Sequence, residues 1–238
     1  MIIFNDIDIN SVAPVRVVDV NVSPIQLSPV ARQRQIQFGA DFVRLSGGSR
    51  VVSITLALLT NDRGIRQKQL LDIAAWARTD TEGRLEIPGY DGLYLSCICT
   101  KLPEISLRQW WDGSMTLVFT TFDNPYWTSE NEKSGNCNSM ITVLGSAPPL
   151  MRITRTLTTQ ASNRSFAIGD DTTTFSRIPA GDFVLDLNRQ TAVSGGTNLM
   201  QYFTYNSTFI RPQTGQYTIT CNANSNYIYK IYWRERWQ

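Results

Sequence analysis

The chain has 238 residues, of which 42% are hydrophobic, and a formal net charge of +2, as expected for a globular protein with one or two domains. It contains no histidine, which removes the usual general base and every Ser–His or Cys–His nucleophile pair. No apolar run is long enough to span a membrane. The opening "MIIFNDIDIN" is acidic where a secretory signal is basic, so we expect synthesis in a cytoplasm without membrane insertion.

The distribution of charge argues against nucleic-acid binding. Residues 1–130 carry 12 basic and 14 acidic side chains, whereas residues 131–238 carry 10 and 6. Neither half has the basic excess of a nucleic-acid binder. Most of the basic residues are arginine, which is better suited than lysine to contacts between proteins.

The first hundred residues are typical of β-strands. Residues 34–45 have strand character, and "SGGS" (46–49) predicts the turn of a hairpin that continues into "RVVSITLALL" (50–59). This second strand alternates, so its large apolar residues share one face: Val52, Ile54, Leu56 and Leu58. Small residues form the other face, either solvated or packed against a neighbouring subunit: Ser53, Thr55 and Ala57.

One helix is predicted over residues 64–78. Asn61 or Asp62 can cap its first turn. Its apolar stripe follows i, i+3, i+4, i+7 spacing and consists of Leu70, Ile73, Ala74 and Ala77. Trp76 lies off this stripe and either covers a sheet edge or anchors an interface.

The first domain then returns to strands and ends near residue 130. Residues 104–122 predict a hairpin through the turn Asp112-Gly113. Trp110 and Trp111 beside that turn face opposite sides of a strand, so one should be buried and the other is a candidate contact. The polar segment 131–139 predicts a linker.

Residues 140–238 show no helical periodicity and predict a second domain of about a hundred residues. Short strand-like runs alternate with turns at intervals of about ten residues, as in a small β-sandwich or jelly roll. The last run, "YIYKIYWRERW" (227–237), either bends back to pack on the first domain or frays as a cationic tail. Its large side chains are candidates for partner or inter-domain contacts, namely Trp233, Arg234 and Trp237.

The sequence indicates no enzyme, cofactor or metal site. The four cysteines lack metal-ligand spacing, and we expect buried free thiols. The carboxylate pairs are expected to belong to turns: Asp6/Asp8, Asp170/Asp171 and Asp182/Asp186. Six tyrosines of the second domain either pack the sandwich or offer aromatic faces to a sugar.

The order of these segments resembles the distal tail protein (Dit) family, the baseplate hub proteins of long, non-contractile-tailed phages and prophages. The resemblance covers nearly the whole chain and depends on order and spacing. The matching segments are "IIFNDIDI", "FGADFVRLSGGSRVVSITLALL", "LLDIAAWAR", "GRLEIPGYDGLYLSCICT", "FTTFDNPYW", "LGSAPPLMRI", "GDFVLDLNRQTAVSGGTNL" and "STFIRPQTGQYTI".

The resemblance implies a mainly β protein with a ring-forming first domain carrying one helix and a galectin-like sandwich outside the ring. It further implies a hexameric ring in the virion, joining the tail tube protein to the tail tip or receptor-binding apparatus, with a channel through which DNA passes. Ser53, Thr55, Trp110 and Trp111 are then candidate ring-interface residues. The alternative is a carbohydrate-binding accessory tail protein for host attachment.

Overall fold

The computed structural model describes residues 1–33, 40–102, 114–222 and 228–238, with only the backbone described for the strand residues within 26–47. It confirms a mainly β protein. The chain divides into two compact units, one of residues 1–127 with Gln238 and one of residues 128–237. The predicted boundary at residue 130 lies three residues from this division. No helix in the described ranges is long and apolar enough to cross a membrane.

The first unit is built around one antiparallel sheet. Its strands lie in the order β3-β6-β9-β8-β7-β1-β2, and β4 and β5 form a separate pair. The elements are β1 (Ile3–Phe4), β2 (Ile7–Asp8), α1 (Ile9–Val12), β3 (Val15–Val22), β4 (Gln26–Gln33), β5 (Ala40–Ser49), β6 (Val51–Leu58), α2 (Arg63–Ala77), β7 (Gly83–Glu86), β8 (Leu93–Lys101) and β9 (Ser114–Thr120).

The hairpin expected through "SGGS" is wrong. These four residues continue β5, and Gln26 faces Ser49 across the β4–β5 ladder. Strand β6 pairs with β3 and β9, so the partner of "RVVSITLALL" is residues 15–22. Glycine pairs are permissive, and an extended ladder partner outweighed the local turn preference here.

Helix α2 confirms the predicted helix within one residue at each end. The Asp62 carboxylate accepts the Ile65 amide at 3.0 Å and caps the helix. Three residues of the predicted apolar stripe are buried, and the fourth, Ala74, is half-buried. The Trp76 indole N–H donates to the Ile7 carbonyl at 3.1 Å. The Trp76 ring also lies edge-on to Phe4, with 5.8 Å between centroids. Trp76 therefore covers the sheet.

The opening segment "IIFNDIDI" does not form one continuous strand. Asn5 and Asp6 have φ of 51° and 64°, which breaks the segment into β1 and β2. Asn and Asp tolerate this left-handed region better than other side-chain-bearing residues. The four-residue helix α1 follows, capped by Asp8, so the unit has a short helical turn besides the predicted helix.

In its described residues, 128–222 and 228–237, the second unit consists of strands and one short 3-10 helix at Met200–Tyr202. One sheet has the order β11-β21-β13-β16-β17-β18, another the order β15-β14-β20, and β12 pairs with β19. The strands are β10 (Trp127–Ser129), which begins at the boundary, then β11 (Lys133–Asn136), β12 (Met140–Val143), β13 (Ala147–Leu157), β14 (Ala161–Ile168), β15 (Asp171–Ile178), β16 (Gly181–Asp186), β17 (Thr191–Ser194), β18 (Thr197–Asn198), β19 (Gly215–Thr218), β20 (Thr220–Cys221) and β21 (Lys230–Trp237).

The expected linker at 131–139 is wrong, because most of this segment belongs to the second unit. Strand β11 pairs with β21, and Gly135 lies opposite Ile231. A Cβ on Gly135 would lie 3.0 Å from Ile141 and 3.4 Å from the Trp233 ring, so glycine permits close packing here. Three of the four β11 residues are exposed, so the polar composition of the segment is that of an exposed strand.

Glycines with positive φ lie at two turns of residues 193–221. Gly195 and Gly196 join β17 to β18 with φ of 54° and 80°, as a two-residue hairpin turn requires, and Gly215 opens β19 with φ of 106°. Gly181 lies directly against this turn, since a Cβ on it would lie 2.7 Å from the Gly195 Cα atom.

We expect Gly181→Ala to destabilise the second unit by roughly 1–3 kcal/mol, since φ is 124° and the new methyl would meet backbone. Gly196→Asn is the matched control, because nothing lies within 4 Å of a Cβ there and Asn tolerates positive φ. Urea unfolding of both variants checks the prediction. Equal midpoints for Gly181→Ala and wild type would contradict it.

Candidate functional site

An uncharged sheet surface is the most distinctive feature of the first unit. We call it the β6–β9 outer face, and it consists of the outward side chains of two adjacent strands: Val51, Ser53, Thr55, Ala57, Ser114, Thr116, Val118 and Thr120. All eight are half-buried and none carries a charge. Depletion of charge is characteristic of the core of a protein interface.

The register fixes the geometry of this face. Thr55 lies opposite Thr116, and their hydroxyls share a hydrogen bond at 3.2 Å. Ser53 lies opposite Val118. The reverse side of the same strands is fully buried at Ile54. The face therefore sits on a packed core that holds its small side chains in fixed rows.

Charged and protruding residues border the face along β3. Asp19 pairs with Thr55 and Arg16 pairs with Ala57, and both charged residues are exposed. A β-bulge lies between Val17 and Asp19, where Val18 is 54% exposed. An uncharged centre with a polar margin is the arrangement of protein interfaces.

Two predicted interface residues, Ser53 and Thr55, thus lie together on this face. Their role in assembly stays a prediction. Trp110 and Trp111 lie outside the described residues. Sequence reasoning missed the contribution of β9, although the alternation of "SMTLVFT" (114–120) marks its outward residues.

The three candidate contacts of the last strand have different surroundings. Trp233 is 5% exposed within the core of the second unit, so its ring packs there. The Arg234 guanidinium donates to the carbonyls of Ser129 and Glu130. Trp237 is half-buried. Because β21 pairs with both β11 and β13, the frayed-tail alternative is wrong.

One member of two of the carboxylate pairs, Asp8 and Asp186, hydrogen-bonds to nearby backbone amides. Asp8 caps α1, and Asp186 accepts the amides of Asn188 and Arg189 at 3.0 and 2.9 Å in the turn after β16. Asp182 lies within β16 and not in the expected turn, and it accepts the hydroxyl of Thr156, its partner on β13, at 2.7 Å. Across the described ranges, no group of three or more Cys, Asp or Glu side chains could hold a metal ion.

The cysteines are free, as predicted, and three of the four are buried. Burial raises the pKa of the Cys137 thiol to about 12 and also raises that of Cys97. Thiols with raised pKa are poor nucleophiles, because the thiolate is the reactive form. Their role is packing.

The tyrosines of the second unit mostly pack the sandwich. Tyr229 is 1% exposed, and burial raises the pKa of Tyr217 to about 12. The guanidinium carbon of Arg152 lies 5.0 Å from the centroid of the Tyr232 ring. Tyr205 is fully exposed at 102%, on a loop fixed by the hydrogen bond from Thr204 N–H to the Thr174 carbonyl. Among these four, Tyr205 alone offers an open aromatic face.

Comparison with known proteins identifies the second unit. Residues 144–237 match the family model SPP1_Dit, described as "Siphovirus-type tail component, C-terminal domain". The predicted resemblance to the Dit family is confirmed.

The fold is that of a Dit protein. The chain is similar to the crystal structure of SPP1 Dit (gp 19.1), described as a paradigm of the hub adsorption apparatus in phages infecting Gram-positive bacteria, at a TM-score of 0.75 and 12% identity. That match covers 100% of this chain and 98% of the other. Such low identity establishes the shared fold alone.

Two phage P2 baseplate structures are more distant. The activated conformation with Ca matches at 8% identity and a TM-score of 0.45, covering 93% of this chain and 90% of that one. The activated conformation with Sr matches at 10% identity and a TM-score of 0.41, covering 92% and 90%. No curated protein matches the sequence.

Proposed function

We propose that this protein is the structural hub of a long, non-contractile phage tail, forming a hexameric ring that joins the tail tube to the tail tip or baseplate. It acts in the virion without catalysis and without a cofactor. The observation that carries the proposal is the uncharged β6–β9 outer face on a chain with the Dit fold and the Dit C-terminal domain.

A closed ring requires a heterologous interface, in which one patch of each subunit meets a different patch of the next. The β6–β9 outer face supplies one such patch. Its hydroxyls and β-branched methyls can be covered with little desolvation cost, since Thr55 and Thr116 already satisfy each other. The other partners are the tail tube protein and the tail-tip or receptor-binding protein.

The charge of the first half suits a channel through which DNA passes. Residues 1–130 carry slightly more acidic than basic side chains. Lysine and arginine contacts to phosphates would hold DNA in place, because each releases counterions and adds affinity. A channel without a basic excess lets DNA move.

Native mass spectrometry of the purified chain tests the stoichiometry. We expect a species of six times the 26.9 kDa chain mass, together with free chain at low concentration. A distribution that rises through all copy numbers without a preferred closed state would count against a ring.

The alternative is a carbohydrate-binding accessory tail protein, and exposed Tyr205 is the observation that favours it. An aromatic face on a fixed loop can stack on a sugar ring. A glycan array with wild type and Tyr205→Ser distinguishes the two functions. The hub proposal expects no glycan signal that depends on Tyr205, whereas the alternative requires one.

A further inference from the structure

One large apolar side chain is exposed at the end of the β6–β9 outer face. Phe122 follows Thr120, the last outward residue of β9, by two positions and is 58% exposed. Thr121 between them is fully buried, and its N–H donates to the Arg50 carbonyl at 3.0 Å. The alternation of β9 therefore continues past the end of the strand, and Phe122 takes the next outward position in the row.

The backbone that presents Phe122 is held by one carboxylate. A single oxygen of Glu82 accepts the N–H groups of Phe122 and Asp123, at 3.0 and 3.1 Å. The other Glu82 oxygen accepts the Ser96 hydroxyl at 2.8 Å. A ring on a backbone fixed in this way loses little conformational freedom on contact, and such preorganisation favours binding.

The β6–β9 outer face alone is too small for a stable contact between subunits. Two strands of eight and seven residues, spaced about 4.8 Å apart, cover about 240 Å² in plan. A specific interface buries about 800 Å² on each partner. A subunit that covers this face must therefore extend beyond it.

The side chains around the face indicate the direction of that extension. Along β3 the margin is charged, with Arg16 and Asp19 exposed. At the end of β9, by contrast, Phe122 adds an apolar ring, and Ile98 of the adjacent strand β8 is half-buried and uncharged. The exposed Asp123 then begins a polar rim. Aromatic residues are enriched, and charged residues depleted, at the core of an interface.

We propose that Phe122 inserts into an apolar recess of a second copy of this chain and anchors the contact made by the β6–β9 outer face, with Glu82 as its positioning residue. The inference rests on the proposed ring, since it names the side chain by which one subunit holds the next. The recess belongs to a different patch of the neighbour, as a heterologous interface requires.

Sedimentation velocity over a concentration series compares Phe122→Ser with wild type. We expect the concentration at which half of the chain is assembled to rise at least about tenfold, because a few large anchoring side chains contribute most of the binding energy of an interface. The single chain should melt within a few degrees of wild type, since the substitution removes no buried side chain.

Leu71→Ser is the matched control. Leu71 is 59% exposed, nearly the same fraction as Phe122. It belongs to α2, which lies on the opposite side of the sheet, because the Trp76 ring centroid is 6.5 Å from that of Phe119 on the buried face of β9. The assembly midpoint of this variant should stay within about twofold of wild type.

Two substitutions of Glu82 test the positioning role. Glu82→Ala leaves Phe122 in place but removes the acceptor that holds its backbone, so the assembly midpoint should rise, by less than in Phe122→Ser. Glu82→Gln keeps a carbonyl oxygen that can accept both N–H groups, and it should assemble like wild type. A carboxylate needed for folding alone would lower the melting temperature without moving the assembly midpoint of the folded chain.

Photo-crosslinking of the purified chain identifies what the ring of residue 122 contacts. p-Benzoylphenylalanine at position 122 should give a covalent dimer on a denaturing gel, and the same group at position 71 should not. An unchanged midpoint for Phe122→Ser, or assembled chain without a crosslinked dimer from position 122, would overturn the contact, leave the tail hub standing and assign Phe122 to another tail protein. A wild-type chain that never assembles would contradict both proposals.

Discussion

Replacing Ile54 and Leu56 with aspartate is expected to unfold the first unit. Both side chains are 0% exposed on the inner face of β6, between β3 and β9. Burying an unpaired carboxylate costs more than most core substitutions, and two such changes exceed about 5 kcal/mol, comparable with the stability of a whole domain. Circular dichroism and tryptophan fluorescence should show loss of native structure in dilute buffer.

The matched control places the same two charges on the opposite side of the strand, as Ser53→Asp with Thr55→Asp. If the inner-face variant melts within a few degrees of this control, β6 does not have the buried face described here.

Ser53→Asp with Thr55→Asp is itself expected to fold as a single chain but to lose the ring. Both positions are half-buried on the β6–β9 outer face, where a carboxylate can turn into solvent as long as no neighbour covers it. The Thr55 change also loses the hydrogen bond to Thr116 and places a second carboxylate opposite Asp19, so we expect the double change to cost about 2 kcal/mol, which leaves the unit folded. A neighbouring subunit over the same positions would bury two unpaired charges, at several kcal/mol.

Sedimentation velocity compares this variant with Ser162→Asp and Thr191→Asp, a double change at exposed strand positions of the second unit. The control should assemble like wild type. Rings of wild-type size formed by the Ser53/Thr55 variant would remove this face from the interface.

The sequence pattern alone predicted the buried residues of those elements in which burial recurs with the period of a strand or a helix. The alternation of β6 and the stripe of α2 predicted Ile54 and Ile73 as core residues, and both are fully buried. The Asp62 cap was likewise readable from its position before the helix. In each case, the residues that decide the structure lie within one turn or one strand.

Strand partners were not predictable in the same way. "SGGS" has the composition of a turn, yet Gly47 and Gly48 extend β5 because β4 supplies a ladder 20 residues upstream. The segment 131–139 has the composition of a linker, yet Gly135 pairs with Ile231, nearly a hundred residues away. Such non-local pairing outweighs local propensity, and a single sequence does not reveal it.

In the candidate site, too, some residues were predictable from local sequence and others depend on non-local strand pairing. Alternation within β6 indicated Ser53 and Thr55, but the wider face also needs Ser114 and Thr116, whose adjacency depends on the β6–β9 register. Trp233 was a candidate contact because it is a large aromatic residue, but it lies in the core of the second unit. Size and aromaticity alone do not separate these roles, because both interfaces and cores favour large rings.

Negative-stain imaging of the purified chain at concentrations where assembly is complete tests the tail hub most directly. The predicted result is class averages of closed rings with six subunits and an open centre, lost in the Ser53/Thr55 aspartate variant. A particle that stays a single 26.9 kDa chain at every concentration, or closed particles without a central opening, would contradict the hub.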